Sequence, residues 1–186
     1  MKNSIKNYIF CGLCIALCVV LPMAFHTIPN AGSIILPMHI PVLICGLICG
    51  WHFGLLCGVT GPLLSSLLTG MPPAAMLPSM MVELAVYGAV TALMMKLVKT
   101  KKIYLDLYIS LITAMLAGRV AAGIVKAVML SATGFTFKMW ITAHFVTALP
   151  GILIQLLFIP SIYVALQAAK IIPARYGSNA SKEKNG

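Results

Sequence analysis

The residues able to do chemistry in this chain are few, and they stand where they are costly. Glu83, Arg119, Lys126, His144, His39 and Gln155 all lie within long apolar segments. An ionisable side chain at bilayer depth costs at least a few kcal/mol, so such groups turn toward the interior of a bundle and toward partners. Arg119 and Lys126 are seven residues apart, which puts them on one helix face about 10 Å apart along the axis. Trp140, His144, Thr147, Gly151 and Gln155 follow helical spacing and give one face with polar groups and a small residue that could line a cavity. Glu83, Lys126 and His144 all fall near the same ends of their segments, so three helices bring ionisable groups together. Tyr87, one turn beyond Glu83, and Asn30, in an uncharged loop over 26–33, complete the candidate set for binding a small molecule.

Blander readings compete with this one. Glu83 can serve only to neutralise Arg119 or Lys126, and Lys126 is near enough to a helix end to extend toward water. His39 lies between Pro37 and Pro41, where an imidazole can cap freed backbone carbonyls. Trp140 fits an interfacial anchor better than a ligand contact.

The elements that position these groups follow from composition. The chain has 186 residues, of which 61% are hydrophobic and 9% charged, far from the roughly one quarter charged that is usual for soluble domains. Its mean hydropathy is +1.03. A span needs about 20 apolar residues, so this length predicts one all-α bundle of six transmembrane helices over 1–170, followed by a polar tail, 171–186, expected to be disordered. The spans are expected at about 8–25, 34–50, 51–68, 79–97, 103–130 and 137–169. Prolines imply an irregular start to the second, a bend at Gly61-Pro62 in the third, and bends at Pro150 and Pro160 in the last.

The formal charge of +10 comes from lysines at span ends and in the tail, without the aromatic interleaving of a nucleic-acid surface. Lys2 and Lys6, the cluster Lys96, Lys99, Lys101 and Lys102, and Lys170, Arg175, Lys182 and Lys184 fall on one side of six crossings, and only Lys138 falls on the other. By the positive-inside rule both termini are then cytoplasmic, in a multi-pass protein of the cell membrane. The basic start before an apolar run is expected to be a retained first helix, since no small-x-small cleavage site follows cleanly.

The six cysteines, Cys11, Cys14, Cys18, Cys45, Cys49 and Cys57, lie in the first three segments and are expected to be reduced packing residues. Cys11-x-x-Cys14 lacks the histidine or carboxylate partners of a metal site. There is no G-x-x-x-x-G-K-[ST], no H-E-x-x-H and no paired-carboxylate site, so neither enzyme activity nor a cofactor is expected. Gly12-x-x-x-Ala16 in the first segment is a small-x-x-x-small pair that permits close approach of another helix.

These pieces together resemble the substrate-binding S components of energy-coupling factor (ECF) vitamin transporters. The resemblance runs to about Lys170. It rests on Gly12 and Ala16, on Leu36-Pro37-Met38-His39-Ile40-Pro41-Val42 leading through Gly46 and Gly50, on Gly70-Met71-Pro72-Pro73, on Glu83-Leu84-Ala85-Val86-Tyr87-Gly88, and on Ala117-Gly118-Arg119-Val120. It implies a high-affinity binding subunit that captures a vitamin or related micronutrient outside the cell. Such a subunit docks on a transmembrane scaffold with two cytoplasmic ATPases, and topples in the membrane to release its cargo. The family's docking motif is usually two alanines four apart; here Gly12 replaces the first, permitting the same close approach, and Ala16 keeps the second. An excess positive charge of Arg119 and Lys126 over Glu83 suits a carboxylate-bearing ligand. The main alternative is a stand-alone proton-coupled secondary transporter using Glu83; a third reading is a structural scaffold without ligand.

Overall fold

The computed structural model describes residues 2–25, 31–130 and 136–176. The elements in chain order are α1 (Lys2–Ala24), α2 (Ala31–Ile34), α3 (His39–Cys49), α4 (Trp51–Thr69), α5 (Leu77–Leu97), α6 (Ile103–Met129), α7 (Phe137–Ile141), a π-helical turn (Thr142–Val146) and α8 (Leu149–Ala168). No strand occurs among the described residues. Five helices are long and apolar enough to cross a membrane: those over Ile5–Ala24, Trp51–Thr69, Leu77–Leu97, Ile103–Met129 and Leu149–Ala168.

The second expected span is helical over only part of its length. Where apolar character runs from 34 to 50, the helix proper is only the 11 residues of α3, about 16 Å of rise against a hydrocarbon core near 30 Å. The backbone explains the shortening. Leu36 sits at φ 55°, in the left-handed region that no helix tolerates, and Pro37 follows it. Pro41 is the third residue of α3, where its missing N–H has no intrahelical role. Gly50, at φ 93°, then ends α3 and turns the chain straight into α4.

The sixth expected span is also divided, into α7, the π turn and α8. Pro150, in the first turn of α8, supplies no N–H, and the preceding turn widens so that Thr147 N bonds Thr142 O at 2.8 Å. By contrast, α4 runs unbroken through Pro62 and α1 through Pro22.

Packing centres on α5, which lies against α3, α4 and α6, with α1 closing over α3 and α4. Glycines set the closeness of this core. A Cβ on Gly88 of α5 would strike the Gly54 backbone of α4, and one on Gly46 of α3 would strike the Gly88 carbonyl, so three helices meet backbone to backbone. All six cysteines are free and buried in the same core, as expected for packing residues. Large apolar side chains such as Ile9, Leu13, Leu67, Leu116 and Leu157 point outward, the reverse of a water-soluble fold.

The segment expected to begin a free tail is tied down over its first residues. Lys170, at φ 58°, turns the chain back, Ile172 is buried, and Arg175 Nε donates to the fully buried Asp106 Oδ2 at 2.9 Å. Tyr176 Oη also donates to Asp106, and Arg175 Nη2 donates to the Val98 carbonyl at the end of α5. Residues 177–186 lie outside the described residues.

Candidate functional site

Glu83 lies in the second turn of α5 and Tyr87 one turn further on, both buried. Gly118 on α6 makes room for Tyr87, since a Cβ there would strike the tyrosine ring. Its neighbour Arg119 reaches the same place: Arg119 Nε donates to Tyr87 Oη at 2.9 Å, and Tyr87 Oη donates to Glu83 Oε1 at 3.3 Å. Arg119 Nη1 donates to the carbonyl of His144, in the π turn where the helical ladder is interrupted. The guanidinium also lies 5.4 Å from the centre of the Phe145 ring.

His144 joins α6 to the π turn through its ring as well. Nε2 is 3.3 Å from Lys126 Nζ, and Nδ1 is 3.2 Å from the Trp140 carbonyl. A carbonyl only accepts and an ammonium only donates, so Nδ1 carries the hydrogen and Nε2 is the acceptor. The same Nε2 is 4.0 Å from Glu83 Oε2, and His39 Nε2 of α3 approaches Glu83 Oε1 to 3.8 Å. Both separations are too long for hydrogen bonds, but they set two imidazoles on either side of one buried carboxylate. The His39 ring also meets Tyr87 edge to face, with centroids 5.2 Å apart.

Six of the residues expected to form a site, Glu83, Tyr87, Arg119, Lys126, His144 and His39, thus come together at one end of the bundle. Gln155 is fully buried on α8, but no hydrogen bond ties it to the six; neither its Oε1 nor its Nε2 has a hydrogen-bond partner among the described residues, and the same holds for both ring nitrogens of His39, whose Nε2 has only its 3.8 Å approach to Glu83. Gly151, one turn before Gln155, seats α8 on the carbonyls of Ile34 and Ile35, so this face of α8 turns toward the start of α3. Asn30 lies outside the described residues.

Trp140 is more than the interfacial anchor the sequence suggests. Its Nε1 donates to the Arg119 carbonyl at 3.1 Å, and its indole fills the space left by Gly123. The signal for this role was its four-residue spacing from His144. Arg119 and Glu83 form no direct ion pair; Tyr87 Oη lies between them. Among the described residues no group of three or more His, Cys, Asp and Glu side chains is placed to hold a metal ion.

On α1, Gly12 and Ala16 face outward, and a Cβ on Gly12 would meet nothing within 4 Å. Cys11, Cys14 and Cys18 take the inward side of the same helix.

A bundle with an apolar exterior and one buried cluster of acid, base and unpartnered polar groups defines a membrane-embedded binding protein. A family model described as "ECF transporter, substrate-specific component" matches residues 6–163, and the chain belongs to that family. It is a transporter subunit that binds substrate within the membrane. No curated protein and no solved structure matches the chain.

Proposed function

We propose that this subunit captures a vitamin or similar micronutrient carrying a carboxylate, from the outer face of the cell membrane, for an ATP-driven ECF importer. The observation that carries the reading is the buried cluster around Glu83 and Arg119. Arg119 and Lys126 exceed the single Glu83 in charge, which favours an anionic ligand. Buried polar atoms without partners are costly, and His39 and Gln155 leave four of them, which a ligand with donor and acceptor groups would satisfy. Asn30 and the loop over Gly70–Pro73 belong, on this reading, to the mouth of the site.

Topology enters the same proposal. Six crossings with cytoplasmic termini put the lysines of the α5–α6 turn inside and the Glu83 cluster in the outer half. With α3 too short to span by itself, the second crossing would be completed by α2 and the irregular residues between them. Gly12 and Ala16, exposed on α1, are the proposed contact with the scaffold subunit, which would couple the chain to two cytoplasmic ATPases.

The test is uptake in cells carrying the scaffold and ATPases, with Gly12→Leu and Ala16→Leu combined. ATP-dependent uptake should be lost while the isolated protein still binds its ligand. Uptake that survives without the ATPases and collapses with the proton gradient would instead establish the secondary transporter using Glu83, which has two imidazoles beside it.

A further inference from the structure

At the end of the bundle opposite Glu83, the turn between α5 and α6 carries Lys96, Lys99, Lys101 and Lys102, all exposed. The nearest carboxylate does not neutralise them. Asp106 is fully buried beneath the turn, where it accepts from Thr100 N at 2.9 Å, Thr100 Oγ1 at 2.6 Å, Arg175 Nε and Tyr176 Oη. None of the four lysines forms an ion pair among the described residues.

The turn is held in one shape. Asp106 fixes Thr100, Thr100 Oγ1 in turn accepts from Lys102 N at 3.4 Å, and Lys101 adopts φ 66°, a left-handed conformation that a lysine does not choose unaided. Lys101 and Lys102 border a shallow, open depression of about 620 Å³ together with Ile103, Tyr104, Leu105 and Tyr108. Its floor continues into the bundle surface. Tyr104, Tyr108, Ile112, Leu116, Val120 and Ile124 recur every four residues, all exposed, and form an apolar ridge that winds about half way round α6.

We propose that this depression is a binding site for an anionic phospholipid, with the headgroup phosphate between Lys101 and Lys102 and an acyl chain along the α6 ridge. Charge and continuity select this occupant. Two exposed ammonium groups without an ion-pair partner favour an anion, the tyrosines beside them suit the zone where aromatic rings meet headgroups, and the apolar ridge would lead into hydrocarbon. A free phosphate would use the lysines and ignore the ridge. The bound lipid would fix the depth of the α5–α6 corner at the membrane surface and join it, through Asp106 and Arg175, to the end of α8.

Native mass spectrometry of the full-length protein, released from detergent containing phosphatidylglycerol, phosphatidylcholine or glycerol phosphate, tests the site. One phosphatidylglycerol should remain bound in preference to phosphatidylcholine, and glycerol phosphate alone should not be retained. Lys101→Gln with Lys102→Gln should weaken that retention roughly tenfold, and Lys101→Arg with Lys102→Arg should preserve it. Lys96→Gln with Lys99→Gln removes the same charge outside the depression and should have little effect, with thermal unfolding confirming that each variant is folded. Undiminished lipid in the glutamine pair at 101 and 102, an equal loss in the pair at 96 and 99, equal retention of glycerol phosphate, or a protein dimer in place of the lipid adduct would each overturn the proposal.

Discussion

Tyr87 Oη bridges Arg119 and Glu83: it accepts from Arg119 Nε at 2.9 Å and donates to Glu83 Oε1 at 3.3 Å. The two charges are thereby held near one another without being joined, and the arginine keeps part of its guanidinium for other partners. Tyr87→Phe removes both bonds and leaves buried polar atoms on α5 and α6. It should lower stability by about 1–3 kcal/mol, read as a fall in the thermal unfolding midpoint in detergent. An unchanged midpoint would mean the bridge contributes nothing.

Glycines separate internal packing from the outward stripe on α1. Gly88→Ala puts a methyl group into the Gly54 backbone and should cost about 1–3 kcal/mol through forced separation of α4 and α5. Gly12→Ala meets open space and should leave the isolated protein as stable as before, or slightly more so, because alanine favours the helix. Thermal unfolding of the two variants side by side makes the comparison, and equal losses would contradict it.

The length of apolar chain and most of the cluster were legible in the sequence because each rests on a local cost. A charge in an apolar segment must find partners, so Glu83, Arg119, Lys126 and His144 could be named together from position alone. The break before α3 was not legible in hydropathy, which reads Ile34 to Gly50 as one apolar stretch. Pro37 and Pro41 did announce an irregular start there, but not the left-handed Leu36 that stops the helix. The role of the His144 carbonyl was hidden for a different reason: it lies in the π turn before Pro150, whose geometry a helical-wheel count cannot contain.

The end of the chain gives a further expectation. Asp106 is buried with Arg175 and Tyr176 as its partners, so truncation after Lys170 removes two of its donors and uncovers the site of Ile172. Stability should fall by roughly 2–4 kcal/mol. Removing only residues 177–186 should have no such effect. Urea or thermal unfolding of both truncations decides it, and equal stability would show that the Asp106 contacts carry no weight.

Asp106→Asn addresses the same contact from the other side. The amide keeps one acceptor oxygen but loses the charge that Arg175 faces, so the variant should unfold at a lower temperature than the wild type, by an amount that Arg175→Ala does not greatly increase when the two are combined. Fully additive losses would mean that the residues act independently.

The proposed function requires that a small molecule bind beside Glu83, Arg119 and His39. Mass spectrometry of small molecules released from the purified wild type and from Arg119→Ala and Glu83→Gln, each shown to be folded by thermal unfolding, measures this. The wild type should carry one compound at near one-to-one occupancy, and both variants should lose most of it. The same compound retained at the same occupancy in both variants would contradict the placement of the site.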